Sequence, residues 1–186
     1  MGNIIFIGGV HGVGKTTFCS KLIERISKNL RHISASEIIK KYKNSTKEFV
    51  YKKVNNISNN QELLIEGLKK ERENTDILLD GHFVLLDKEG NTQRIDLNTY
   101  KNIQIKSILL LVDEPENIKK RLNQRTLNNA FTIDLLKAMQ SEEIDWAKEV
   151  ANQLYLPIKI INLNQCKEYE DCLTESIKFI SAYIND

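Results

Sequence analysis

The run Gly9-Val10-His11-Gly12-Val13-Gly14-Lys15-Thr16, directly after Ile4-Ile5-Phe6-Ile7, constrains this chain more than any other stretch. It matches G-x-x-x-x-G-K-[ST] in full. Four β-rich apolar residues suit a central strand buried on both faces. The glycines let the following segment curl tightly enough for successive N–H groups to point inward. Beyond it, Phe18, Leu22, Ile23 and Ile26 recur at helical spacing. Strand, loop and helix together form a cradle for a nucleotide's phosphates, because the helix start adds partial positive charge. Gly9, His11, Gly12, Val13, Gly14, Lys15, Thr16 and Thr17 are expected to surround them. Lys15 is expected to stand exposed in the loop and reach the β- and γ-phosphates. The Thr16 hydroxyl offers Mg²⁺ the hard oxygen it requires.

The rest of the chain repeats the strand–helix alternation. Further strands are expected at Arg31–Ser34, Asp76–Asp80, Ile105–Val112 and Pro157–Leu163. Ser36 is placed as the cap of a helix running to about Tyr42. Two more helices, Thr46–Ile57 and Gln61–Glu73, are expected on either side of a break at Ser58-Asn59-Asn60. Phe83–Leu86 and Thr92–Ile95 flank a glycine-containing turn and read as a hairpin. Pro115 opens a helix that ends within 125–129, Thr132 to Leu154 forms a long helix, and Glu168–Ile184 forms the last one. Five apolar strands among helices predict an α/β fold, a parallel sheet covered on both faces. Ligands then belong at the carboxyl ends of the strands. With 186 residues and no linker, the chain reads as one domain over 1–186.

Composition narrows the classes. The 27 basic and 25 acidic residues leave a net charge of +2, which argues neither for nor against nucleic acid. The cluster Lys40, Lys41, Lys43, Lys47, Lys52 and Lys53 reads as a solvated helix face. No apolar run reaches membrane-spanning length, and the start carries neither a signal-peptide nor a myristoylation pattern. Cys19, Cys166 and Cys172 fit no disulfide framework or zinc spacing, so reduced thiols and a cytoplasmic setting are expected. Asn-Lys-x-Asp, which would read guanine, does not occur. Two acidic residues end strands. Asp80 is favoured over Asp113 for organising Mg²⁺, because Asp113-Glu114-Pro115 serves equally well as a helix start.

Gly-Val-His-Gly-Val-Gly-Lys-Thr-Thr at 9–17, Leu-Leu-Asp-Gly-His at 78–82 and Arg121-Leu122-Asn123-Gln124-Arg125 together resemble the P-loop nucleoside monophosphate kinases. The similarity is greatest to the archaeal-type adenylate kinases and their bacterial relatives, over nearly the whole chain. The resemblance implies a three-layer α/β/α fold with core strand order 2-3-1-4-5. It implies acceptor-binding helices about 36–73 and a lid about 121–130. It implies ATP and Mg²⁺ as cofactors, and a small phosphoryl acceptor, a nucleotide, as partner. Lys15, Arg121 and Arg125 would neutralise charge on the transferring group. Thr16 and Asp80 would hold the metal. His82, Arg94 and Ser36 would face the acceptor, and Arg121 with Asn162–Gln165 the adenine. One departure is plain: family members carry an arginine soon after the strand-end Asp-Gly, whereas here His82-Phe83-Val84 follows, and Arg94 is the nearest arginine downstream. Two other functions stand beside this one: a kinase acting on a nucleic-acid 5′ end or another small metabolite, and an ATP-dependent switch that binds a protein or RNA. A larger motor of the AAA type is not expected, since no helical domain follows the α/β core.

Overall fold

The computed structural model describes residues 2–26, 29–45, 56–72, 75–87, 89–125 and 130–184. Five strands form one parallel sheet: β1 (Ile4–Gly8), β2 (Leu30–Ser34), β3 (Asp76–Asp80), β6 (Ser107–Val112) and β7 (Ile158–Asn162), in spatial order β2-β3-β1-β6-β7. Counting sheet strands alone, this is the expected 2-3-1-4-5. A separate antiparallel hairpin pairs β4 (Val84–Leu86) with β5 (Thr92–Arg94). Central β1, β3 and β6 are buried at every position, which explains why they read as unbroken apolar runs with no alternation.

Two cores lie on opposite faces, divided by the period of two along each strand. Ile4 and Phe6 point with Ile77, Leu79, Ile108 and Leu110 toward α2 (Ala35–Ser45), α3 (Asn56–Glu71) and α4 (Leu97–Ile103). Ile5 and Ile7 point with Leu78, Leu109 and Leu111 toward α1 (Lys15–Arg25), α5 (Pro115–Arg125) and α7 (Tyr169–Ile180). The 21-residue α6 (Ile133–Gln153) serves both cores: Leu136 and Met139 belong to the second, Ala147 and Val150 to the first.

In its helices and its cysteines the structure differs from the sequence reading at four places. Residues 58–60, read as a break, lie inside α3, because burial of Leu64 and Leu68 against Ile38 outweighs the weak local turn preference of Ser and Asn. The other helix expected there, 46–57, falls mainly outside the described residues. Ser36 is not a cap: α2 already begins at Ala35, and the Ser36 hydroxyl meets that of Ser34 at 2.9 Å. Helix α4 was missed. It is short, starts where Asp96 Oδ1 accepts from Asn98 N–H at 2.7 Å, and buries Tyr100 between Phe6 and Phe83. Finally, Cys166 and Cys172 are joined in a disulfide, and only Cys19, buried on α1, is free. The loop after β7 folds back onto the first turn of α7, where both sulfurs approach the Asn162 carbonyl. The expectation of three reduced thiols is overturned, and the argument about compartment that rested on it goes with it. Among the described residues, no helix is long and apolar enough to cross a membrane.

Candidate functional site

β1 ends at Gly8, and the loop that follows climbs to α1. Gly12 and Gly14 have φ of 79° and 109°, values that L side chains rarely adopt. A Cβ on Gly12 would also lie 2.6 Å from Leu122. Gly14 caps α1 without any side-chain acceptor, and the first turn of α1 holds no acidic residue. Its N–H groups therefore remain available to an anion. By contrast, α6 is closed by the Thr132 hydroxyl, which accepts from Leu135 N–H at 3.1 Å.

Lys15 is not exposed; 7% of its surface meets solvent. Its ammonium donates to Gly9 O at 2.6 Å, to Val10 O at 3.2 Å and to His82 Nε2 at 3.1 Å. The lysine folds back because the loop's own carbonyls are the nearest acceptors. Burial lowers its pKa, with Glu143 and Asp80 opposing. The His82 ring must accept from Lys15 and is therefore neutral. Burial first, then Lys15 and His11, hold its pKa well below the ordinary histidine value. His11 stacks on it with centroids 4.0 Å apart, and burial lowers its own pKa to about 4.

Asp80 ends β3 beside the start of α1. Its Oδ2 lies 3.3 Å from the Thr16 hydroxyl and accepts from His32 Nε2–H at 2.6 Å. Burial pushes this carboxyl up, but His32 and Lys15 pull it below the usual range, so it is an anion. Neighbouring oxygens on an octahedral Mg²⁺ lie about 2.9 Å apart, so the Thr16–Asp80 pair suits that ion. Cys19 places its sulfur within 4.8 Å of the His32 and Asp80 ligand atoms. Two ligands of one zinc ion sit about 3.3 Å apart, wider than the His32–Asp80 contact of 2.6 Å, so this trio is a hydrogen-bonded pair with a thiol beside it. Asp113 has a different occupation. It accepts from Glu114 N–H at 2.8 Å and Asn117 at 3.1 Å where α5 begins, and pairs with Arg121 at 2.5 Å.

Arg121 also donates to Gly12 O at 2.8 Å, so α5 lies against the phosphate loop. Arg125, at the end of α5, lines a cavity beside the phosphate loop; residues 126–129 of the expected lid lie outside the described residues. That cavity, about 590 Å³, opens beside Gly12, Gly14, Lys15 and Thr16 and runs under α2 and α3. His11, His82 and Ser36 line it, and Thr16 reaches it; Thr17 is exposed beyond. Its floor is apolar: Phe6, Ile39, Leu64, Leu85, Ile95 and Ile103, with Tyr100. Lys40 and Lys43 also line it, so part of the basic cluster faces a pocket as well as solvent.

Arg94 is not among the lining residues. It stacks on Trp146 and pairs with Glu142 and Glu149 of α6, because β5 turns it to the outer side of the hairpin. Arg72 is held by Gly2 O, Ile103 O and Gln104 and joins elements far from the phosphate loop. Asn162 and Gln165 line a separate open cleft past β7, with Lys167, Asp171 and Glu175.

Three residues of this region were missed from sequence. His32 carried no local signal, since its partner Asp80 is 48 positions away. The Tyr100 hydroxyl donates to His82 O at 3.0 Å. Glu143, 1% exposed, accepts from Gly9 and Phe83 N–H at 2.9 Å and from Val84 N–H at 2.7 Å. Its signal was legible: Leu136, Met139, Glu143, Ala147 and Val150 fall on one helical face, so a carboxylate interrupts an apolar stripe.

The sheet order, the glycine loop after β1 and the strand-end Asp80 define a P-loop kinase fold. The chain belongs to the AAA domain family, whose sequence profile matches residues 8–140. The match begins at the end of β1 and stops within α6, short of β7. No curated protein matches the sequence. Solved structures with the same fold include a gluconokinase from Sinorhizobium meliloti 1021, with a TM-score of 0.55 and 9% identity over 97% of this chain and 92% of the other. A shikimate kinase from Bacteroides thetaiotaomicron aligns with a TM-score of 0.53 and 14% identity over 97% and 99%. An uncharacterized protein from Eubacterium ventriosum gives 0.51 and 15% over 97% and 98%.

Proposed function

We propose that the protein transfers the γ-phosphoryl group of ATP, with Mg²⁺, to a small acceptor of the nucleoside monophosphate type. One observation carries this reading: a single cavity joins the phosphate loop and Asp80 to a pocket beneath α2 and α3. The two substrates would meet where His82, Lys15 and Asp80 converge. Such a transfer needs positioning and charge neutralisation more than covalent chemistry. Lys15 would leave its loop carbonyls for the β- and γ-phosphates. Thr16 and Asp80 would hold the metal, which when bound neutralises charge on the phosphate oxygens. Arg121 and Arg125, carried by α5, would close over the transferring group.

The lining argues for the acceptor class. Lys40, Lys43 and Arg125 supply positive charge, and Asp80 is the one carboxylate among the lining residues. An anionic group therefore enters at one end. The apolar floor suits a flat ring more than a polyol, which would leave its hydroxyls unpaired. The fold neighbours named as gluconokinase and shikimate kinase support a small-molecule kinase without deciding the acceptor.

The test is ADP formation across a panel of nucleoside monophosphates, sugar acids, cyclic hydroxy acids and 5′-hydroxyl oligonucleotides. Turnover that rises many-fold with one monophosphate is the expected result. Slow hydrolysis indifferent to every acceptor would point to the ATP-dependent switch instead.

A further inference from the structure

Glu143 sits where α6 passes from one core to the other, and it is carried inward against the carboxyl ends of β1 and β3. Its three donors come from two separate segments. Gly9 opens the phosphate loop; Phe83 and Val84 follow His82 at the edge of the cavity. Burying a carboxylate is costly unless it is satisfied. Here its two oxygens accept from three backbone N–H groups. We propose that Glu143 is a positioning residue that holds the phosphate loop and the His82 turn in one fixed relation, so that tight ATP binding requires its carboxylate form. The proposal rests on reading the loop as the ATP site.

Adding a proton to either oxygen replaces an acceptor with a donor that faces an N–H group. Oε1 accepts from both Gly9 and Phe83 and Oε2 from Val84 alone, so the proton falls on Oε2; it weakens the Val84 bond and removes the charge that strengthens the Oε1 bridge between the two segments. Burial raises the Glu143 pKa to about 7, although the bonds from Phe83, Val84 and Gly9 and the charge of Lys15 pull it down. The titratable groups that act on it are Lys15 from the loop and Tyr100 from α4, and His82 precedes the turn it holds. On α6 itself, neighbouring Glu142 turns outward to Arg94. His11 and His82 are held neutral through this range, and the Tyr100 pKa is raised by burial and by Glu143. The part of any pH dependence that belongs to Glu143 is therefore the part that its variants change. As pH falls through about 7 the carboxylate is lost, and ATP affinity should fall with it.

The experiment is calorimetric titration of the full chain with a non-hydrolysable ATP analogue and Mg²⁺, from about pH 5.5 to 8.5. Wild-type affinity should weaken by up to about tenfold per pH unit below neutrality. Glu143→Gln should bind at least about tenfold more weakly at pH 8. It should also lack the part of the slope that exceeds the analogue's own phosphate ionisation. Glu143→Asp, which keeps the charge, should retain that slope at reduced affinity. The Asp variant carries the comparison if the Gln variant does not fold. Wild-type affinity in Glu143→Gln, an equal slope in both proteins, or a slope-free Asp variant would each overturn the proposal. Wild type that binds the analogue at no pH would instead overturn the ATP reading beneath it.

Discussion

Lys15 lies folded onto the carbonyls of its own loop, so its proposed task involves a change of partner. Its ammonium is buried against Gly9 O, Val10 O and His82, and burial disfavours its charged form. Lys15→Met should therefore reduce ATP-dependent turnover about 100- to 1,000-fold, with thermal stability unchanged or raised. A variant that loses both activity and folding would show that the lysine is structural. Asp80 and Asp113 separate in the same way. Asp80→Asn should weaken Mg²⁺-dependent turnover on the order of a hundredfold while nucleotide binding changes little. Asp113→Asn should loosen α5 and Arg121, read as a lower melting temperature with Mg²⁺ dependence intact. If Asp113→Asn shifts the metal requirement, the assignment to Asp80 is wrong.

At the scale of elements, α2 and α3 form one wall of the cavity through a close seam. Gly67 faces Ile38 and Tyr42, and a Cβ there would lie 2.3 Å from the Ile38 side chain. In a helix, alanine is ordinarily better than glycine by about 1 kcal/mol. Overpacking costs about 1–3 kcal/mol and wins here, because both neighbours belong to the core or pack against it. Gly67→Ala should therefore destabilise the protein and raise the acceptor KM, and leave binding of the ATP analogue near wild type. Equal damage to both ligands would mean that the two halves of the cavity are less separable than their elements imply. Helix α6 has the opposite character. It packs into both cores and reaches the phosphate loop through Glu143, so changes along it should be felt on both sides.

For the molecule as a whole, the phosphate loop, β3 and α5 all converge on the nucleotide position, so binding should stabilise the entire fold. An ATP analogue at about a hundred times its Kd adds about 2.7 kcal/mol. A domain of this size shifts by about 2–4 °C per kcal/mol, so a single transition should rise by about 5–10 °C. Two transitions, one of them unmoved, would contradict the single cooperative unit that the sequence reading expects over 1–186.

How much of this was legible depended on the range of each interaction. The five strands and the glycine loop could be read from local pattern, and their order from the resemblance to the nucleoside monophosphate kinases. Apolar runs buried on both faces and a glycine spacing leave few alternatives. Residues 58–60 misled because weak turn preference yields to burial against α2. The two cysteines misled because only the fold-back after β7 brings them together. Arg94 was assigned to the acceptor by position along the chain, yet strand direction turns it toward Trp146. The pairs His32–Asp80, Tyr100–His82 and Glu143–Gly9 span 48, 18 and 134 positions, and no local rule reaches across them. By itself, then, the sequence determined that Gly9–Thr16 is the glycine loop between a strand and a helix of an α/β sheet, because that motif is made by backbone geometry over a few adjacent residues. Only the tertiary structure decided what surrounds that loop: Lys15 turned inward, Asp80 held by His32, and Glu143 tying the loop to the His82 turn. Those contacts depend on where distant elements end in space.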